Sequence, residues 1–301
     1  MNVKLFVIVV TYKGKQWYDR CFSSLRESTI PIQTIVVDNA SNDGSVEYIR
    51  EHFPEIYLIE SKENLGFGKG NNLGLRYAYE QGCDYVFLLN QDTWVDPDMF
   101  EKLVVVSKRH PDFGIIAPVH MSADKQSLCM MMEYQSNLYM YRMLSDLYCG
   151  NVKEIYETNY VNAAGWLLPR NTLSTLGGFD PLIFHYGEDD DYVNRARYHG
   201  VRIGICFGAR MVHYGFSDEW SKKLLSQARI DDLELYLDLN RSFDYHSLRR
   251  SCLKKYFKAM LGRKKSLMNY SKYKFKYLKR MRHAIENSRK TNCIKQPNWI
   301  Q

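Results

Sequence analysis

Leu88-Leu89-Asn90-Gln91-Asp92-Thr93 closes a short apolar run that begins at Tyr85-Val86-Phe87 and passes at once into Trp94-Val95-Asp96-Pro97-Asp98. A bounded apolar run of this length that ends in a carboxylate reads as a buried strand with a ligand-bearing C-terminal tip. Open α/β sheets bind small molecules at those tips. Asp92 is a hard oxygen donor there, and Asn90, two residues earlier, points to the same side of an extended chain. The pair suits a divalent cation that holds a phosphate. The competing reading is an N-cap or Asx-turn at a loop entry, which an isolated N-x-D favours.

Towards the N-terminus, Leu5 to Val10 is a β-branched apolar run that ends at Thr11-Tyr12, suited to the first central strand of a parallel sheet. Trp17, Cys21, Phe22 and Leu25 recur at helical spacing and predict a crossover helix. Ile32 to Val37 predicts a second strand. It stops at Asp38-Asn39-Ala40-Ser41-Asn42-Asp43-Gly44-Ser45, a run of turn formers with a helix N-cap before Val46. Ile56 to Glu60 is a third, shorter strand. This alternation indicates a doubly wound α/β domain. An acid at the end of the second strand, Asp38 or Asp43, can accept bonds from a ribose hydroxyl or a base N–H, and a structural turn accounts for either equally well. No G-x-G-x-x-G follows the first strand, which weakens a dinucleotide reading.

Asn64-Leu65-Gly66-Phe67-Gly68-Lys69-Gly70-Asn71-Asn72-Leu73-Gly74 comes next, with four glycines in eleven residues. Glycine lets a backbone approach a ligand, Asn71-Asn72 can cap the helix that follows, and its N-terminus beside Lys69 suits diphosphate or base contacts. The G-K-[ST] ending of a Walker loop is missing.

The 301 residues are 45% hydrophobic and 25% charged, ordinary for a globular chain. The seven cysteines are scattered and hold no C-x-x-C pair, which predicts free thiols in a reducing compartment. The run after Met1 is too short to span a membrane and lacks a signal-peptide cleavage site, so a cytoplasmic location is expected. The net charge of +7 is unevenly spread: from Arg249 to Lys290 there are 16 Lys and Arg against one acid, Glu286, leaving 25 basic and 33 acidic residues elsewhere. The mildly acidic body speaks against a nucleic-acid surface.

Four segments in order, Val9-Val10-Thr11-Tyr12, Val36 to Ser45, Asn64 to Asn72 and Leu89-Asn90-Gln91-Asp92, together resemble the family-two inverting glycosyltransferases of type-A nucleotide-diphospho-sugar fold. The likeness is strongest to the bacterial rhamnosyltransferase and galactofuranosyltransferase branch and extends from about Val3 to Gly215. The resemblance implies that Thr11, Tyr12, Asp38, Asn39 and Asp43 line the nucleoside pocket with Asn71 nearby. Gly66, Lys69, Asn90, Gln91 and Trp166 are counted with the donor-binding residues. Asn90-Gln91-Asp92 then occupies the family's D-x-D position with its first acid replaced, so the metal, Mn²⁺ or Mg²⁺, rests mainly on Asp92.

Met130 to Tyr148 is rich in Met and Tyr, read as core or oligomer packing, with an acceptor or lipid-facing groove as the functional alternative. Val161 to Arg170 returns to a strand-like pattern that contains Trp166. Gly177-Gly178-Phe179-Asp180 then leads to Glu188-Asp189-Asp190-Asp191-Tyr192, an acidic first helical turn by itself. It also matches the family's G-G-F-D and E-D-x-D pattern, which implies Asp189 as general base, with Glu188 and Asp191 orienting hydroxyls. Inverting displacement needs carboxylates at two places, one to take the acceptor proton and one to hold the cation that neutralises the leaving diphosphate. Val201 to Cys206 predicts another strand, and Met211-Val212-His213-Tyr214-Gly215 resembles the family's late V-x-H segment, which implies His213 as a further metal ligand.

Beyond Ser217 helical periodicity takes over, through Leu224, Leu225, Ile230 and Leu233 to Leu239. In the basic region that follows, Lys and Arg interleave with Tyr and Phe, which suits an anionic membrane surface contacted through residues 249–290. The chain thus predicts two regions: a nucleotide-sugar-binding catalytic domain over residues 1–216, and a helical basic region over residues 217–301. The expected activity is inverting transfer of a hexosyl or deoxyhexosyl group from a UDP- or dTDP-sugar to a hydroxyl of a surface polysaccharide or lipid-linked glycan. It would take place at the inner face of the cell membrane, with a homo-oligomer left open. A catalytically silent nucleotide- or glycan-binding protein of the same fold is the alternative. A sugar-phosphate nucleotidyltransferase is disfavoured because no Gly-rich triphosphate loop follows the first strand.

Overall fold

Leu5–Thr11 forms β1, buried along both faces: Phe6 and Ile8 face one apolar cluster while Leu5, Val7 and Val9 face the other. A continuous β-branched run is what a strand covered on two sides requires. In the computed structural model, which describes residues 3–140, 142–214 and 233–300, β1 is flanked by β2 (Gln33–Asp38) and β4 (Tyr85–Asn90), both parallel to it. β3 (Tyr57–Glu60) extends the sheet beyond β2. The crossovers are α1 (Lys15–Arg26), α2 (Ser45–His52) and α3 (Gly66–Glu80). The doubly wound half predicted from the sequence is therefore present, strand by strand.

After β4 the chain makes β5 (Thr93–Val95), α4 (Met99–Arg109) and β6 (Phe113–Met121). Then come α5 (Met130–Tyr139), α6 (Met143–Tyr148), β7 (Ile155–Glu157), β8 (Gly165–Pro169), α7 (Arg170–Leu176), α8 (Glu188–Tyr198) and β9 (Arg202–His213). The sheet order is β3-β2-β1-β4-β8-β6-β9-β5, with β7 on β9. β8 is antiparallel to both β4 and β6, and β9 is parallel to β6, so β1, β2, β4, β6 and β9 all end at one edge. The second half of the sheet is thus mixed. The strand predicted over Val201 to Cys206 continues to His213, with a register irregularity against Pro118 and Val119 that carries it to the functional edge.

Within the Met- and Tyr-rich stretch, Met132, Met140 and Met143 are buried in the core, whereas Tyr134, Leu144 and Tyr148 are exposed. The expected boundary at 216/217 and the residues Leu224, Leu225 and Ile230 lie outside the described residues. On its far side stand α9 (Leu233–Leu237), α10 (Tyr245–Leu261) and α11 (Lys265–Asn292), around an apolar cluster of Leu237, Tyr245, Cys252, Leu278 and Ile285. These helices are tied into the sheet domain. Ser288 and Asn292 donate to Asp180, the Gly178 amide donates to the Asn298 carbonyl, and Ile300 is buried in the main core.

Candidate active site

The strand ends build a cleft of about 520 Å³. β1 contributes Thr11 and Tyr12, β2 leads to Asn39, and α3 starts at Gly66 and Phe67. β4 runs into Asn90, Gln91 and Asp92, and β9 ends at His213. Eight predicted site residues therefore meet in one place: Thr11, Tyr12, Asn39, Gly66, Asn90, Gln91, Asp92 and His213. Their strands converge because a parallel sheet brings all C-terminal tips to one edge.

Side chains bind the loops of the cleft to one another. Gln91 Oε1 accepts from the Tyr12 amide at 3.1 Å and its Nε2 donates to the Tyr12 carbonyl at 3.3 Å, which locks the tips of β1 and β4 together. Asn39 Nδ2 donates to the Gly66 carbonyl at 3.0 Å, and the Asn64 side chain accepts from the Gly66 amide at 2.9 Å. Gly66 sits at φ +79°, and a Cβ there would come within 2.0 Å of the Phe184 carbonyl oxygen, so this position requires glycine. The close approach brings Phe184, His185 and Tyr186 to line the cleft opposite β1.

Asp92 Oδ1 lies 3.7 Å from Nε2 of His213. Asp92 is partly exposed to the cleft, whereas the imidazole is buried; burial pushes its pKa below the ordinary value, and Asp92 opposes that shift. A carboxylate oxygen beside a neutral imidazole at the rim of a cleft is a donor set that fits Mn²⁺ or Mg²⁺.

Other expected site residues occupy different places. Asp38 is buried behind Thr11: its oxygens accept from the Thr11 hydroxyl at 3.1 Å and the Ser41 amide at 2.8 Å. Asp43 accepts from the amide and hydroxyl of Ser45 at the start of α2, the turn role that its sequence also allowed. Asn71 is buried and donates to the Phe67 carbonyl within α3, and Lys69 is half-buried on the same helix outside the cleft lining. Trp166, counted with the donor-binding residues, stands outside the cleft lining. It is fully buried on β8 and packs on Phe179 and Tyr192, so it belongs to the core.

The loop that lines the cleft runs straight into α8, whose first four residues are Glu188, Asp189, Asp190 and Asp191. The four do not share a fate, because a helix turns each to a different side. Asp189 is half-buried and accepts from the Tyr160 hydroxyl at 2.7 Å, while Glu188 is buried with Oε1 3.9 Å from the His185 ring. Asp191, expected to orient a hydroxyl, is fully buried and paired with Arg195 at 2.9 Å. Sequence reasoning missed Tyr160, Trp17, Asn64, Phe67 and the 184–186 loop. Asn64 and Phe67 lie within the quoted glycine-rich motif, which could have marked them, whereas nothing local marks Tyr160, which meets Asp189 only across 29 residues of chain.

The glycosyl transferase family 2 model matches residues 6–157, half of the chain, and the chain belongs to this family and is a glycosyltransferase. It is 21% identical over 214 residues to a dTDP-rhamnosyl transferase, RfbF, of Shigella flexneri, covering 71% of this chain and 70% of that protein. An N-acetylglucosaminyl-diphospho-decaprenol L-rhamnosyltransferase of Mycobacterium tuberculosis is 25% identical over 217 residues, covering 65% of this chain and 71% of its own. In fold the chain resembles a mannosyltransferase from Pyrobaculum calidifontis solved with GDP-Man and Mn²⁺. That likeness has a TM-score of 0.56 and 19% identity, over 79% of this chain and 62% of that one. The type-A glycosyltransferase fold read from the sequence is thereby established.

Proposed function

We propose that the protein moves a hexosyl or deoxyhexosyl group, with inversion, from a UDP- or dTDP-sugar to a hydroxyl of a surface polysaccharide or lipid-linked glycan. The observation that carries this reading is the cleft itself. It gathers Thr11, Asn39 and Gly66 with the Asp92–His213 pair, and the stretch 184–186 that lines it runs on in sequence into α8, which carries Asp189. Thr11, Tyr12, Asn39 and Gly66 would seat the nucleoside, with Asp38 and Asp43 shaping the loop behind it, and Asn90 and Gln91 would face the donor. Asp92 and His213 would hold Mn²⁺ or Mg²⁺, which when bound neutralises charge on the leaving diphosphate. Asp189, held by Tyr160, would take the acceptor proton, while Glu188 orients a hydroxyl.

Release of nucleoside diphosphate from a panel of UDP-, dTDP- and GDP-sugars, with and without Mn²⁺, tests the reading. Turnover of a UDP- or dTDP-sugar supports it; no sugar nucleotide consumed, with pyrophosphate released from a nucleoside triphosphate, overturns it. Within the site, Asp92→Ala is expected to lower transfer by roughly 10²–10³-fold, the scale for loss of one electrostatic partner of the leaving group. Asn90→Ala should cost about tenfold, since an amide supplies at most a neutral hydrogen bond. Near-wild-type rates in both variants would show that the diphosphate is held elsewhere.

The basic C-terminal region supports membrane contact, and the reading is narrowed by the way α10 and α11 turn. Phe257 and Leu261, 53% and 83% exposed, stand near the turn between α10 and α11 with the exposed Met260 and Leu267, and the exposed Lys254, Lys258, Arg263, Lys264 and Lys265 belong to the same stretch of chain. Exposed apolar and basic residues in one stretch suit an anionic bilayer, at about 1 kcal/mol per basic residue near the surface. Among the described residues no helix is long and apolar enough to cross a membrane. Co-flotation with anionic vesicles is expected to fall with salt and to be cut severalfold by Phe257→Glu with Leu261→Glu. Flotation unchanged in that double variant would remove the hairpin from the interaction.

A further inference from the structure

β6 and β9 run in parallel to the functional edge, and near their ends stand His120 and His213. After β6 the chain turns back, pairing Met121 with Leu128, and the Cys129 amide donates to the His120 carbonyl at 2.9 Å. This brings the Cys129 sulfur, a ring nitrogen of His120 and a ring nitrogen of His213 within 4.8 Å of one another, with all three residues buried. The two imidazoles stand nearly perpendicular, with centroids 5.9 Å apart. His120 is 0% exposed, and neither of its ring nitrogens has a hydrogen-bond partner among the described residues. Buried polar groups in native proteins are met by a hydrogen bond, an ordered water or a metal, so a wholly buried imidazole with both nitrogens unmet calls for an occupant.

We infer that His120, Cys129 and His213 form a binding site for a borderline-soft transition-metal ion, Zn²⁺ foremost, beside Asp92 but distinct from the hard-cation position proposed there. Two imidazoles and a thiolate make an N₂S donor set, which selects zinc over Mg²⁺ or Mn²⁺. Ligand atoms around a tetrahedral zinc lie roughly 3.5 Å apart, so the three groups need an inward movement on the order of 1 Å. Binding displaces the Cys129 thiol proton to solvent, leaving a thiolate on the metal.

His213 ties this site to the one in the cleft. Its Nε2 faces Asp92, so coordination of zinc through Nδ1 would place Nε2–H against that carboxylate, the outer-shell arrangement that orients metal-bound histidines. A neutral imidazole coordinates through one nitrogen, so His213 serves one metal at a time. The soft site rests on the fold and not on the transferase reading, and its test measures metal instead of turnover.

The full-length, metal-stripped protein is titrated anaerobically with Co²⁺. Expected are tetrahedral visible bands and a near-ultraviolet thiolate-to-cobalt band that saturate at one ion per chain and are bleached by Zn²⁺. Cys129→Ser should abolish the thiolate band, and His120→Gln should weaken Co²⁺ binding at least tenfold. Replacing the exposed Cys149 and Cys293 by Ser should leave the spectrum intact. No thiolate band, or one that survives Cys129→Ser or disappears with Cys149 and Cys293, overturns the site. Zinc-edge X-ray absorption of the unaltered protein decides the matter without a variant. One sulfur at about 2.3 Å with imidazole scatterers supports it, and a shell of oxygen and nitrogen alone overturns it.

Discussion

Asp189→Asn is expected to lower turnover by roughly 10²–10⁴-fold, the range a positioned general base contributes, while donor binding and the fold remain intact. The substitution keeps shape and hydrogen-bonding capacity at the first turn of α8. Asn can still accept from the Tyr160 hydroxyl, which now holds Oδ2 at 2.7 Å, but it cannot take a proton from an acceptor hydroxyl. The Asp190 amide donates to the other oxygen, Oδ1, at 3.0 Å, so the carboxylate is oriented from two sides. The effect should therefore fall on kcat with little change in donor affinity, read by steady-state kinetics beside calorimetric titration of the nucleoside diphosphate. Tyr160→Phe should give a smaller loss, because it loosens the carboxylate without removing it. An Asp189→Asn enzyme within a few-fold of wild type would mean that another group takes the proton.

Asp191→Ala, two residues on, is expected to act on stability, by about 3–5 kcal/mol, the scale for breaking one partner out of a buried ion pair. Asp191 and Arg195 each show 1% side-chain exposure, and their bond is 2.9 Å. The guanidinium also donates to the carbonyls of Leu176 and Gly178, stitching α8 to the end of α7 and to the G-G-F-D turn. Removing the carboxylate leaves a buried, uncompensated cation at that junction. The denaturation midpoint should drop with an unchanged denaturant slope, and Asp191→Leu with Arg195→Met should recover much of the loss. Loss of activity without loss of stability would return Asp191 to the acceptor site.

Burial pushes the Asp191 carboxyl up to about 6 in spite of Arg195, and Asp180 and Asp238 add to the rise. The folded state then holds this proton more tightly than the unfolded chain. The Asp191 contribution is favourable at low pH and is lost as pH rises from the ordinary carboxylate range through about 6. A pH series of unfolding midpoints should show that loss in the wild type and not in Asp191→Ala.

How much could be read from the chain follows from how local each cause is. Leu5–Thr11, Gln33–Asp38 and Tyr85–Asn90 were legible because a strand buried on both faces must be apolar along its whole length, and the turn formers after each mark its tip. The antiparallel insertion of β8 was not legible: Gly165–Pro169 has the same apolar character in either direction, and its orientation depends on partners in β4 and β6 that are distant in the chain. The four acids of α8 illustrate the same limit. Their spacing suggested a shared site, yet the helix turns Asp189 towards Tyr160 and Asp191 into the core against Arg195. Trp166 was counted with the donor-binding residues, and its burial against Phe179 and Tyr192 depends on residues distant in the chain.

By itself the sequence determined the parallel half of the sheet and the edge at which the strand tips gather. Those outcomes rest on period, turn chemistry and motif order, all carried by neighbouring residues. Only the tertiary structure decided that Asp189 is held by Tyr160 while Asp191 is buried in an ion pair with Arg195. It alone tied the C-terminal helices to Asp180 and brought His120 and Cys129 beside His213. These depend on contacts between residues far apart in the chain, whose side chains take their directions from packing and not from their neighbours in sequence.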